Sequence, residues 1–296
     1  MPRALTMQRF LALVGPEERS FQASKIHALR LFLLIHLTVQ SLHWIHTSGG
    51  FRHLGANFVL LSGFLLCLVG VLQPHTRRAA TAVAALLQWS ILIYAFPYCA
   101  NHLLLEVVSL SVLAFLDTEN PEEGELALEW CKWLAVIVLF YSGLQKLFRG
   151  TYDEAEFLGF MMAKGGRFTE FFQFFVPAQE LERLSSIGEV QPGAGPYAVN
   201  SPLLRLLSHA AYLSEIGLAA LLLWPRARPF AAAAAIALVA SIEIAAREFF
   251  FGCLFVSLLL LFFRRDFNRM VLPGFALFYL LLMVIRFVVG SNWWFN

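Results

Sequence analysis

Charged residues are scarce in this sequence. Only 14% of its 296 residues are Asp, Glu, Lys or Arg, whereas soluble domains carry about 25%. Hydrophobic residues reach 59%, Phe alone occurs 29 times, and the mean hydropathy is +0.67. These values exclude a water-soluble fold of this size and favour one membrane domain that covers nearly the whole chain.

Other patterns are also missing. The cysteines are dispersed and form no CxxC pair, which disfavours a dithiol redox enzyme. A net charge of +2 gives no reason to expect a nucleic-acid partner. The N-terminus has no long apolar core of the kind that a cleavable signal needs. Residues 1–25 instead predict an amphipathic segment on the cytoplasmic surface of the membrane.

Long apolar runs predict an all-α integral membrane protein, a polytopic helical bundle of about eight spans. The predicted spans are 26–46, 55–73, 79–98, 102–117, 129–149, 203–224, 230–263 and 271–290. A straight helix over 230–263 would be about 50 Å long against a hydrocarbon core of about 30 Å, so we expect a broken or re-entrant helix near Arg247. Region 155–176 should be re-entrant or interfacial, and residues 177–202, rich in Pro and Gly, should form an exposed loop.

Lys and Arg concentrate in alternate loops, which predicts the orientation of the chain. The basic clusters are Arg3, Arg9, Arg19 and Lys25 before the first span, Arg77 and Arg78 after the second, Arg226 and Arg228 after the sixth, and Arg264, Arg265 and Arg269 after the seventh. One topology places all of these clusters in the cytoplasm. It puts the N-terminus inside and the break near Arg247 on the outer side.

Ionisable side chains inside spans are costly and usually mark a site. Several fall in the outer half of the membrane in this topology, although they come from four helices: His102, Lys146, His209, Glu243, Arg247 and Glu248. Their shared depth predicts a site. Other readings stay open: Arg247 can form a structural ion pair with Glu243 or Glu248. Lys146 can extend to the lipid headgroups, and His102 can cap its helix.

Histidines around the first loop form a second polar set, His36, His43, His46 and His53. His43 and His46 are one helical turn apart, a spacing that could serve a metal or a haem. The alternative is an interfacial belt of polar and aromatic residues. We expect no metal site.

A sequence motif then narrows the function. The run Phe140-Tyr141-Ser142-Gly143-Leu144-Gln145-Lys146-Leu147 resembles the aromatic-x-x-Gly-x-x-Lys-Leu motif of the vitamin K-dependent gamma-glutamyl carboxylase family, whose bacterial relatives are called HTTM proteins. Upstream, Asn101-His102 followed by Ala114-Phe115-Leu116-Asp117 is similar to the family's Asn-His and aromatic-x-Asp pattern. Arg30, the region of Glu215 and the stretch 243–255 also resemble the family. The resemblance covers roughly residues 26–290 and implies an HTTM-like transmembrane domain over 26–296, in a bacterial inner membrane.

The resemblance implies an enzyme that uses reduced vitamin K or another lipid quinol. In the carboxylases the motif Lys deprotonates the quinol, whose anion reacts with oxygen to give a strong base. That base removes a γ proton from a substrate glutamate, and carbon dioxide adds. Carried over, Lys146 is the candidate quinol base and His102 its proton partner. A lysine at the edge of hydrocarbon has its charged form disfavoured, which leaves a neutral amine able to act as a base. The remaining residues of the expected cavity are Tyr141, Glu106, His209, Glu215, Glu243, Arg247 and Glu248.

Two departures from the family matter. Glu243 stands where the family carries a His, and no large lumenal domain follows the membrane part before Asn296. We therefore expect a smaller substrate, or a peptide or protein partner, in addition to membrane lipids and a lipid quinone. The alternative function is a non-enzymatic membrane binding or maturation factor that retains the fold and holds a lipid or peptide.

Overall fold

The computed structural model describes residues 16–47, 51–97, 101–187, 196–263, 274–275, 277–281 and 284, and the elements in these ranges are helices. They are α1 Pro16–Thr47, α2 Phe51–Leu72, α3 Arg77–Ala95, α4 Asn101–Phe115, α5 Pro121–Arg149, α6 Glu156–Ala163, α7 Arg167–Phe172, α8 Ala178–Ser185, α9 Pro202–Leu223, α10 Arg228–Ala246 and α11 Phe249–Leu259, with 3-10 turns at Gln173–Phe175 and Leu260–Phe262.

The long helices have the length and composition of membrane spans. Within the described residues, 6 helices are long and apolar enough to cross a membrane, namely α1, α2, α3, α5, α9 and α10, and two shorter apolar helices cover His102–Phe115 and Phe249–Phe262. Large apolar side chains face outward, such as Leu66 at 73% exposure and Ile93 at 70%. Contact with lipid accounts for such a surface. The chain is therefore an all-α polytopic membrane protein, as the sequence predicts.

The predicted break near Arg247 is confirmed. Helix α10 ends at Ala246, and α11 begins at Phe249. Arg247 lies between them in the left-handed conformation, with φ at 57°, and its N–H donates to the Glu243 carbonyl at 2.7 Å. A left-handed residue after the last helical turn ends a helix. Region 155–176 is likewise divided, into α6, α7 and the 3-10 turn Gln173–Phe175.

The prediction of an exposed loop over 177–202 is wrong in part, because α8 lies within it. Leu184 of α8 is 1% exposed and packs in the same apolar cluster as Val199, which is fully buried. The Pro and Gly content of the region predicted a loop, although a short amphipathic helix follows Pro177.

Helix α8 also fixes the residues that lead into α9. Arg183 donates to the carbonyls of Pro196 and Ala198 at 2.9 and 2.7 Å, and Glu180 accepts from the Asn200 N–H at 2.9 Å. The hydrogen-bonded Arg183 lowers the pKa of the Glu180 carboxyl to about 2. These hydrogen bonds give the backbone polar groups of residues 196–200 fixed partners on α8.

The chain forms two compact units. The first unit consists of Met1–Trp133 and Phe263–Gly290, and the second consists of Leu134–Phe262 and Ser291–Asn296. The predicted surface segment 1–25 and the predicted last span 271–290 fall largely outside the described residues. Residues 16–25 of the predicted surface segment form the beginning of α1.

Candidate functional site

Lys146 lies in the last turn of α5 and meets Glu215 of α9 in the second unit. The Lys146 ammonium donates to Glu215 Oε1 and to Ser142 Oγ, the latter at 3.2 Å. It also lies 5.5 Å from the centroid of the Tyr152 ring, within the range of a cation–π contact. The motif lysine therefore has a carboxylate, a hydroxyl and an aromatic face around it.

Glu215 is the more buried partner. The residue is 3% exposed, and its Oε2 atom has no hydrogen-bond partner among the described residues. A buried carboxylate oxygen without a donor is costly, so Oε2 is the atom of this pair that has room for another donor. The phenol of Tyr152 has its pKa raised, by burial first and by the Glu215 charge second, and it stays a neutral hydroxyl.

Gly143 explains how α5 and α9 come this close. A Cβ at Gly143 would lie 2.7 Å from Ile216 Cγ1 and 2.8 Å from the Tyr212 carbonyl oxygen. Only glycine fits that approach, and Lys146 follows Gly143 by three residues on the same helical face. The spacing of Gly and Lys in the motif thus has a packing reason.

Other side chains of the motif lie on different faces of α5 from Lys146. Tyr141 is 59% exposed, and Phe140 and Leu147 are also exposed. Tyr141 precedes Lys146 by five residues, which turns it about 140° around the helix. The expectation that Lys146 acts as a neutral amine stays a prediction.

His209 lies on α9 and contacts a residue on the same helix. Its Nδ1 is 2.7 Å from the Tyr212 hydroxyl, and Tyr212 is buried. Next to it, Ser208 donates to the Tyr152 carbonyl at 2.7 Å. His209 thus belongs to the polar side chains of α9 in the second unit, and Ser208 ties the loop that carries Tyr152 to this helix.

The residues at the helix break have their own contacts. Arg247 pairs with Glu170 of α7 at 2.5 Å, a partner that the sequence did not single out. Glu243 is 6% exposed and lies against Gly252, where a Cβ would come within 2.4 Å of its Cγ. Glu248 precedes α11 and is exposed. Arg247 thus ties the break between α10 and α11 to α7.

His102 and Glu106 lie on α4 in the first unit, where Glu106 joins a buried network. Glu106 Oε1 is 2.7 Å from His36 Nε2, and Gln88 Nε2 donates to Glu106 Oε2. His36 Nδ1 is 2.6 Å from the Tyr279 hydroxyl. His102 lies within electrostatic reach of Glu106 and His36. The expected cavity shared by His102 and Lys146 stays a prediction, because these residues belong to different units.

His36 belongs to the histidine set of the metal or haem alternative. Both ring nitrogens of His36 have protein partners, Tyr279 and Glu106. Among the described residues there is no group of three or more His, Cys, Asp or Glu that could hold a metal ion. The side chains of His46 and His53 lie outside the described part of the structure.

Sequence reasoning missed four polar partners: Gln88, Tyr152, Glu170 and Tyr279. Gln88 carried a usable signal, since it is an amide in the apolar run of α3. The other three follow only from tertiary contacts. No family model, curated protein or solved structure matches the chain.

Proposed function

We propose that this protein is a membrane-embedded enzyme related in chemistry to the vitamin K-dependent carboxylases, and that it acts with a lipid quinol at the Lys146–Glu215 pair. One observation carries the proposal. The motif lysine is hydrogen-bonded to a buried glutamate whose second oxygen has no donor within the part of the chain that the structure describes. A quinol hydroxyl is the kind of donor that such an oxygen accepts.

The residues present fit a quinol headgroup. Glu215 Oε2 would accept its hydroxyl, and the Lys146 ammonium would hold the oxygen that carries the resulting charge. The neutral Tyr152 hydroxyl is a further hydrogen-bond donor next to them. A bound quinol would supply a weakly acidic hydroxyl and reducing equivalents for a reaction with oxygen and, in a carboxylase, carbon dioxide.

The proton chemistry of the pair differs from that of an isolated lysine. In the proposed reaction the Glu215 carboxylate accepts the quinol proton, and the Lys146 ammonium beside it stabilises the quinol anion by electrostatic attraction. A carboxylate partner also keeps the ammonium in place, because Oε1 and Ser142 fix its position.

The proposal includes the setting of the enzyme. The protein resides in a bacterial inner membrane with its N-terminus in the cytoplasm, and the site opens to the outer side. Its partners are membrane lipids, the quinone pool and a peptide or protein that offers the substrate carboxyl group.

The test combines lipid identification with a matched pair of variants. Lys146 and Lys132 both lie on α5, and each is paired with a glutamate, Glu215 and Glu129. Mass spectrometry of lipids that co-purify with the wild-type protein should find a quinone. Oxygen consumption after addition of a menaquinol should be abolished in Lys146→Met and retained in Lys132→Met.

A double variant separates catalysis from folding. Lys146→Met/Glu215→Gln removes both charges, so it leaves no unpaired buried charge and should fold. It should still lack quinol-dependent oxygen consumption. Full activity in either Lys146 variant would refute the proposed role. A protein that binds no quinone, and whose biological activity survives Lys146→Met, would be the maturation factor instead.

A further inference from the structure

Four buried side chains form a continuous hydrogen-bonded network in the first unit. Gln88 bonds Glu106, Glu106 bonds His36, and His36 bonds Tyr279. Gln88, Glu106 and His36 are fully buried, and Tyr279 is 1% exposed. These side chains come from α1, α3, α4 and the helical residues around 279.

The place of this network in the membrane makes it costly. His36 lies near the middle of the span Lys25–Ile45, where an ionisable group is expensive and rarely serves packing alone. A purely structural role could be filled by apolar residues of similar size at no loss of stability. An ionisable pair kept at this depth therefore favours a role in which its ionisation matters.

The network stays hydrogen-bonded in more than one protonation state. An imidazolium at His36 donates from both ring nitrogens, to Tyr279 and to the Glu106 carboxylate. If the proton moves to Glu106, the carboxylic acid donates to His36 Nε2 instead. If it leaves the pair, the Tyr279 hydroxyl can donate to Nδ1 while Nε2–H donates to Glu106. A proton can therefore move within the His36–Glu106 pair, or leave it, while these hydrogen bonds are kept.

Three polar atoms in or next to the network have no hydrogen-bond partner in the described ranges of the chain. They are Gln88 Oε1, Ser109 Oγ and Gln40 Nε2, and all three residues are at most 1% exposed. Ser109 follows Glu106 by three residues on α4, and Gln40 follows His36 by four residues on α1, so each continues the polar face of its helix. Buried polar atoms of this kind are usually satisfied by internal water.

We propose that the His36–Glu106 pair is a proton-binding site in the core of the first unit, and that internal water molecules carry protons to it. The other ionisable groups around it are few. Helix α4 adds His102, α1 adds His43 two helical turns beyond His36, α2 has Cys67 among its buried residues, and Tyr279 bonds His36 directly. The buried residues of α3 are uncharged.

Infrared difference spectroscopy of the purified protein tests the site directly. A carboxylic acid has a C=O stretching band that a carboxylate lacks. Spectra recorded across a pH series should contain a carboxylic band that shifts rapidly in D₂O and is lost in Glu106→Gln. In His36→Gln, which keeps a hydrogen-bonding side chain, the half-point of the band should move by about one pH unit or more, since a nearby charge is removed.

Two controls keep the test decisive. Glu129→Gln removes an exposed carboxyl of α5 and should leave the band unchanged. Tyr279→Phe keeps the ring and both contacts of Glu106, so it should fold even if Glu106→Gln does not, and it should move the half-point of the same band. A wild-type spectrum with no pH-dependent carboxylic band, or a band unmoved by His36→Gln and Tyr279→Phe, would identify a fixed structural pair and overturn the proposal.

Discussion

The two lysines of α5 pair with glutamates whose side chains differ in exposure. The Glu129 side chain in the Lys132 pair is 43% exposed, whereas the Glu215 side chain in the Lys146 pair is 5% exposed. Exposed pairs of this kind contribute about 0–1 kcal/mol to stability. A buried partner behaves differently, because losing its counter-charge leaves an ion in a medium that cannot solvate it.

This difference predicts unequal effects on stability. Lys146→Met should lower the free energy of unfolding by about 3–5 kcal/mol, because Glu215 is left buried and unpaired. Lys132→Met should cost less than about 1 kcal/mol. Chemical denaturation in detergent measures both, and Lys146→Met/Glu215→Gln should recover most of the loss. Equal effects of the two lysine variants would show that Glu215 reaches water.

At the scale of helices, the close contact between α5 and α9 depends on Gly143. Gly143→Ala forces its Cβ toward the Tyr212 backbone carbonyl, which cannot move aside as a side chain can. We expect a loss of about 1–3 kcal/mol, the usual cost of overpacking. Quinol-dependent activity should fall with it, because the same contact sets the distance from Lys146 to Glu215.

Gly217 is the matched control for that substitution. It lies on α9, and a Cβ there would have nothing within 4 Å. Gly217→Ala should be neutral or stabilising by up to about 1 kcal/mol, since Ala is the better helix former. If thermal unfolding showed the same change for both glycine variants, helix propensity rather than the α5–α9 contact would explain the result.

The helices themselves were largely predictable from sequence. Apolar runs locate the spans, and the charges of Arg247 and Glu248 inside an overlong run locate its break. Helix α5 starts earlier than predicted, because Pro121 and two glutamates of the first turn are good helix-starting residues outside the apolar run.

The sequence predicted which residues belong to the site but not how they pair. Lys146 and Glu215 both stand out as charges within spans, but their pairing depends on which faces of α5 and α9 meet. The amide of Gln88 within an apolar run was a usable signal, whereas Tyr279 became a partner only through its tertiary contact with His36. The sequence alone therefore identifies the charged residues that are costly within a span. It does not identify the hydrogen-bonded network in which they are paired.

At the scale of the whole molecule, polar contacts link the α2–α3 turn, the α4–α5 loop and α1 at one end of the first unit. Arg77, after the α2–α3 turn, pairs with Glu119 of the α4–α5 loop at 2.6 Å. Arg78 donates to the Phe115 carbonyl at 2.8 Å, and Arg30 of α1 donates to Thr118 at 2.7 Å. The acidic α4–α5 loop and the basic α2–α3 turn thus lie on the same side of the membrane, as the predicted topology requires.

That topology predicts which exposed positions a membrane-impermeant thiol reagent can reach in intact cells. On a background without the native cysteines, His75→Cys in the α2–α3 turn and Arg226→Cys after α9 should react only after the membrane is permeabilised, because basic loops stay in the cytoplasm. Ser186→Cys, after α8, should react in intact cells. All three positions are exposed, and denatured samples supply the maximum labelling of each. Strong labelling of His75→Cys in intact cells would show that the α2–α3 turn faces outward and would contradict the predicted topology.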